Sequence, residues 1–209
     1  MEGTEITINI SPIGSKKFSV KVKMIIIGIT GSIASGKSTV ARFMSKKKYP
    51  LFSADEVVAD LYNNNEFIKL LIKRFRLSNK KNIKNQIKLL IKKNKIKIKE
   101  LESIIHPLIR KKMKNFLKKK SNILILEIPL LIESKLNSYF DKIIFVDAKK
   151  ELRLKRYSKR NNDKETFEIL NKRQLSPFTK KKTCDLIINN NYSLKILKKN
   201  VKKFIDKYE

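Results

Sequence analysis

Residues 31–38, Gly31-Ser32-Ile33-Ala34-Ser35-Gly36-Lys37-Ser38, satisfy the spacing G-x-x-x-x-G-K-[ST]. Three of the chain's five glycines, Gly28, Gly31 and Gly36, fall within nine residues there. Glycines let a backbone turn tightly and aim its N–H groups inward, and a following helix adds partial positive charge at its N-terminus. Lys37 is placed to reach the outer phosphates of a nucleoside triphosphate, and the Ser38 hydroxyl to ligate Mg²⁺. Such a loop identifies a triphosphate and leaves open what is done with it.

Other residues narrow the chemistry. Asp55 follows Lys37 by 18 residues at the end of a short apolar run. A carboxylate at the mouth of a parallel sheet can accept or orient the proton of an attacking hydroxyl. Asp55 or Ser53 could equally cap the next helix. The segment 123–133 is a buried-strand pattern carrying two acids, Glu127 and Glu133, and periodicity does not choose which assists Mg²⁺. Arg153, Arg156 and Arg160 fall on one expected helix, with Arg156 and Arg160 four apart and so on one face. Arginine is scarce, eight residues against 42 lysines, which singles out Arg110, Arg156 and Arg160 as phosphate clamps needing a planar fork. The lone histidine, His106, reads as a packing or capping residue, and Cys184 as a small buried one.

The elements that must hold these groups alternate. Apolar, β-branched runs at 24–30, 49–52, 123–128, 142–147 and 185–189 read as strands. Helical spacing follows at 36–48, 56–62, 66–75, 83–92, 97–105 and 193–208, and Pro107 is expected to open a separate helix to about residue 120. Alternation of this kind implies a parallel sheet covered on both faces. Residues 1–23 stand apart, with strand-like runs at 5–10 and 18–22 around a turn at 11–14, as a tag-like segment or a hairpin extension.

The composition excludes several classes. At 209 residues, with 41% hydrophobic and 33% charged side chains, the chain is globular rather than disordered or collagen-like. Its apolar runs are strand-sized, so neither a membrane span nor a secretory signal is expected. One cysteine cannot close an internal disulfide, and a reducing cytoplasmic setting is expected. The net charge of +31 attracts phosphate-rich partners, yet Lys is smeared over most helical surfaces, as A/T-rich codon usage alone would produce. Aromatic residues make up only 8%, without Trp and without a stacking run, so no dedicated nucleic-acid partner is expected.

From Met24 onward the chain resembles dephospho-CoA kinase. The resemblance rests on Ile29–Ser38, Ser53-Ala54-Asp55, Leu101–Arg110 with His106-Pro107, and Pro129-Leu130-Leu131-Ile132-Glu133. It continues through Arg153-Leu154-Lys155-Arg156 with Arg160, Gln174 and residues 185–190. It implies a three-layer α/β/α P-loop kinase with a parallel sheet, a helical substrate-side insertion over about 62–120 and a lid over about 150–182. It also implies ATP, Mg²⁺ and phosphorylation of the ribose 3′-hydroxyl of dephospho-CoA. By resemblance, Gly31, Ser32, Ile33, Ala34, Ser35, Gly36, Lys37, Ser38 and Thr39 bind ATP with Arg156 and Arg160. Asp55 becomes the base, Lys37 and Arg156 act with it in catalysis, and Arg110, Pro129 and Leu130 meet the acceptor.

The sequence departs from that family at Ser32, where a second glycine is usual and serine fits only with negative φ. It departs also at Ser53, where aspartate is common, and over 76–85, where a glycine-bearing turn and an arginine are usual. The nearest alternative is a nucleoside monophosphate kinase-like enzyme, of which Pro-Leu-Leu-x-Glu and His-Pro are not expected. A basic nucleic-acid-binding protein is the alternative from another class.

Overall fold

A computed structural model describes residues 5–10, 18–46, 48–78, 81–93, 96–160 and 163–208. Strands β1 (Glu5–Ile10) and β2 (Phe18–Lys23) pair antiparallel, with Glu5 opposite Lys23 and Ile10 opposite Phe18. Before Met24 the described residues are thus two antiparallel strands, and the turn expected at 11–14 lies outside the described residues. The chain divides into two compact units, Met1–Phe52 with Lys119–Glu209, and Ser53–Lys118.

After β2 the first unit continues with β3 (Ile25–Gly31), α1 (Lys37–Ser45) and β4 (Leu51–Ser53), where the chain passes into the second unit. That helical unit comprises α2 (Ala54–Leu61), α3 (Asn65–Phe75), α4 (Ile83–Lys93) and α5 (Ile96–Phe116). The chain then returns through β5 (Ile123–Glu127), β6 (Lys142–Asp147), α6 (Lys150–Ser158), α7 (Lys164–Lys172), α8 (Pro177–Thr183), β7 (Leu186–Asn189) and α9 (Leu194–Ile205). The sheet order is β4-β5-β3-β6-β7, and β3 runs parallel to both β5 and β6, as β6 does to β7.

The pattern of burial explains the order. Strands β3, β5 and β6 carry near-continuous apolar runs because both faces of the sheet are covered. One face packs Ile27, Ile29, Ile125 and Ile144 against Val40, Ala41 and Met44 of α1 and Leu197, Val201 and Ile205 of α9. Helix α8 packs on β6, and α6 packs on α7. The five-stranded parallel sheet with helices is the architecture expected, and 142–147 is a strand with the bounds read from sequence.

Two expectations need correction. The helices expected on either side of His106-Pro107 are one, α5, with Pro107 inside it. A mid-helix proline removes one backbone donor and crowds the preceding turn. Leu101, Ile104 and Ile105 before it, and Leu108 and Ile109 after it, nevertheless enter the same apolar cluster with Phe67, Leu71 and Ile87. Keeping that stripe in register across Pro107 outweighs the lost bond. Arg160 is not on a helix with Arg153 and Arg156: α6 ends at Ser158, and Arg160 is exposed in a turn. Asp163 then caps α7, its side chain accepting from the Thr166 N–H at 2.8 Å.

Candidate active site

The turn from β3 into α1 is built by its two glycines. Gly36 sits at φ +98°, a conformation open to few residues with a Cβ, and a Cβ there would run into the Asn190 side-chain amide. At Gly31 a Cβ would come within 2.6 Å of the Val146 carbonyl oxygen on β6. Ser32 is not among the residues with positive φ, so serine is accommodated in place of the family's second glycine; the left-handed residue is Ala34, at φ +57°. The Ser35 N–H donates to the Ser32 carbonyl at 3.1 Å, which curls the loop over the N-terminus of α1.

Lys37 is 7% exposed, and its ammonium donates to the Ser32 carbonyl at 3.1 Å. This folds the charge back over the loop's concave side. At the first turn of α1, the Ser38 hydroxyl donates to Glu127 Oε1 at 2.7 Å. Glu127 ends β5 and is only 2% exposed. Of the two acids that periodicity leaves open, Glu127 is the one that meets Ser38. Glu133 accepts instead from the Leu175 N–H at 3.0 Å and pairs with the Lys180 ammonium at 2.7 Å.

The other side of the loop is held by α6 and the end of β7. Arg156 donates to the Asn190 carbonyl at 2.9 Å and, more weakly, to the Ser35 carbonyl at 3.5 Å. Burial pulls its guanidinium below the ordinary arginine range. The Asn190 side chain donates to the same Ser35 carbonyl at 2.8 Å. Arg153, which the sequence places beside Arg156 without a separate role, is the interior member. It is 4% exposed and donates to the carbonyls of Ala148 and Ile33 and to Asn171 Oδ1. Gln174 Oε1 accepts from the Ile33 N–H at 2.9 Å. Arg153 and Gln174 therefore grip the loop at the same residue, from its carbonyl and its amide.

Pro129 follows β5, and its carbonyl accepts from the Thr30 hydroxyl at 3.1 Å; Leu130 is half-buried beside it in sequence. Thr39 lies one residue beyond Ser38 and is half-buried. Cys184 is half-buried rather than buried, and burial pushes its thiol up to about 11.

In the helical unit, Ser53 is the N-cap of α2, its side chain accepting from the Glu56 N–H at 3.3 Å. The capping role open to Asp55 is thus filled by Ser53, and Asp55 stands exposed in the first turn of α2. Arg110 is exposed on α5, and His106 is half-buried within it. Among the described residues no group of three or more His, Cys, Asp or Glu could hold a metal ion. The donors offered beside the loop are one hydroxyl and one carboxylate, oxygen ligands suited to a hard cation that keeps waters and substrate phosphates in its shell. No helix among the described residues is long and apolar enough to cross a membrane.

Lys180 is a contributor that sequence reasoning did not single out, and Asn190 enters it only as the end of the resembling run 185–190. Lys180 lies in a run of three lysines within a lysine-rich chain, so composition hides it. Asn190 carries no periodic signal, and only its place after the last strand marks it.

A family model described as dephospho-CoA kinase matches residues 25–195. A dephospho-CoA kinase of Fusobacterium nucleatum is 34% identical over 191 residues, covering 88% of this chain and 99% of that protein. Another, of Bartonella henselae, is 36% identical over 186 residues, covering 85% and 95%. Among solved structures, a dephospho-CoA kinase from Campylobacter jejuni aligns with a TM-score of 0.61 at 28% identity, over 89% of this chain and 98% of its own. A shikimate kinase from Acinetobacter baumannii aligns with a TM-score of 0.51 at 11% identity, over 89% and 96%, a likeness of fold alone.

Proposed function

The chain belongs to the dephospho-CoA kinase family, and from that premise we propose that its phosphate loop, Glu127, Arg156 and Asp55 carry ATP-dependent phosphorylation of the ribose 3′-hydroxyl of dephospho-CoA. The products are coenzyme A and ADP. The family match across residues 25–195 is the observation that carries this reading. The loop built by Gly31, Gly36, Lys37 and Ser38 supplies a chemistry consistent with it.

In-line phosphoryl transfer asks a protein mainly for positioning and charge neutralisation. The acceptor oxygen bonds to the γ-phosphorus as the bond from that phosphorus to the β,γ-bridging oxygen breaks. Asp55 takes the hydroxyl proton, a role left open to it because Ser53 caps α2. Loop amides of residues 31–39 and the positive end of α1 cradle the β- and γ-phosphates. Lys37 leaves the Ser32 carbonyl to follow the γ-phosphoryl group, and Arg156 turns toward the same charge. Arg160, exposed beyond α6, closes on the phosphates from the lid over about 150–182 and helps exclude water. Ser38 and Glu127 would hold Mg²⁺, which when bound neutralises charge on the β- and γ-oxygens. Glu133, committed to Lys180, takes no part in that site. Arg110, Pro129 and Leu130 orient dephospho-CoA. A reducing cytoplasm suits the single thiol.

Incubation with ATP–Mg²⁺, with and without dephospho-CoA, tests the reading by quantifying ADP and 3′-phosphorylated product. Product formed in equal amount with ADP, only when dephospho-CoA is present, is the expected result. Equal ADP formation without it, or with shikimate or a nucleoside monophosphate in its place, overturns the acceptor.

A further inference from the structure

Lys180 is completely buried, an unusual place for a lysine, and the bonds around it lead to the phosphate loop. Its ammonium pairs with Glu133 Oε1 at 2.7 Å and reaches the Pro129 carbonyl at 3.4 Å. The same Glu133 oxygen accepts from the Leu175 N–H, and the preceding residue, Gln174, accepts from the Ile33 N–H inside the loop. The Pro129 carbonyl also accepts from Thr30, the residue before Gly31. Beside Lys180, Lys181 pairs with Asp147 at the end of β6 at 2.6 Å. Helix α8 is thus fastened at two adjacent residues, one to the segment after β5 and one to β6.

We infer that Lys180 is a positioning residue: with Glu133 it forms a buried latch that sets Gln174 against Ile33 and so holds the phosphate loop in its nucleotide-binding shape. The charge arrangement supports more than packing. Glu133 Oε2 is buried with no hydrogen-bond partner among the described residues, so both donors, Leu175 N–H and Lys180, converge on the other oxygen. A carboxylate held by one oxygen has its direction fixed by those two donors. Without Lys180 the carboxylate is a buried charge that must turn toward water, and the Leu175 anchor turns with it. Gln174 then loses its register on Ile33. Helix packing alone would be met by an apolar pair, as buried ion pairs are often replaceable without loss of stability; loop placement would not.

This inference rests on the loop being a nucleotide site, so its test reads nucleotide binding separately from phosphorylation. Calorimetry with AMP-PNP–Mg²⁺, and separately with dephospho-CoA, is performed on the full chain, on Lys180→Met, and on the charge-free pair Glu133→Leu/Lys180→Met. The second variant keeps the test decisive if the first fails to fold. Either folded variant is expected to bind AMP-PNP about tenfold or more weakly, the range seen when residues supporting a bound site are lost, with dephospho-CoA affinity unchanged. Gln174→Ala should weaken AMP-PNP binding comparably, and combining it with the charge-free pair should weaken it far less than the product of the two effects. Wild-type AMP-PNP affinity in the charge-free pair, equal losses for both ligands, or full multiplicativity with Gln174→Ala overturns the latch. A chain that binds AMP-PNP but does not phosphorylate dephospho-CoA overturns the acceptor assignment and leaves the latch tested.

Discussion

The Ser38 hydroxyl donates to the Glu127 carboxylate across 2.7 Å, joining the first turn of α1 to the end of β5. The two lie 89 residues apart in sequence. Their meeting distinguishes Glu127 from Glu133, and it follows from β3 and β5 being parallel neighbours whose C-terminal ends share one edge of the sheet.

Glu127→Gln keeps an acceptor for Ser38 but removes the negative charge. Activity at limiting Mg²⁺ should fall by about 10–100-fold, the usual effect of losing a residue that supports a metal, and excess Mg²⁺ should recover part of it. Thermal unfolding checks that the fold is retained.

Arg156→Lys tests the fork. One guanidinium reaches two carbonyls, those of Asn190 and Ser35, and an ammonium on a flexible stem does not reproduce that geometry. We expect kcat/KM to drop by about 10²-fold, near the loss for removing one transition-state donor. Arg160→Lys, at an exposed position beyond α6, should cost less.

Much of this arrangement is legible in the residues alone. The spacing of Gly31, Gly36 and Lys37 specifies the loop, and apolar runs bounded by charge mark the strands because a parallel sheet is buried on both faces. What is illegible depends on neighbours distant in sequence. Pro107 signals a helix start, yet the apolar stripe of α5 continues through it into one cluster. Arg156 is singled out by its type and spacing while Arg153 gets no role of its own, and the fold shows Arg153 interior, holding Ile33 and Asn171, with Arg156 at the loop's rim. Lys180 is masked by 41 other lysines, since charge patterning cannot mark a buried member of a surface-like run.

Gly36→Ala places a Cβ at φ +98° and against the Asn190 amide. The left-handed conformation alone should cost about 1–2 kcal/mol, read as a lowered melting temperature in the absence of ligand. AMP-PNP should also stabilise this variant less than the wild type, because strain is relieved by moving the loop.

Cys184 gives a pH dependence with a definite sign. Its thiol is pushed up to about 11 from 9.0, chiefly by burial, so between those values the unfolded chain releases a proton that the folded chain keeps. Stability therefore falls as pH rises through that window, and this contribution vanishes below it. Denaturant titrations at pH 8 and pH 10.5 should show a smaller alkaline loss for Cys184→Ser than for the wild type. An equal loss in both would remove the thiol from the account.

The most direct test is single-turnover ADP formation with saturating ATP–Mg²⁺ and dephospho-CoA in Asp55→Asn. Because Ser53 caps α2, the variant should fold and bind both substrates as the wild type does. The rate should fall by about 10²–10⁴-fold, as expected for losing a general base. A folded, substrate-saturated Asp55→Asn enzyme that turns over at the wild-type rate would contradict the account.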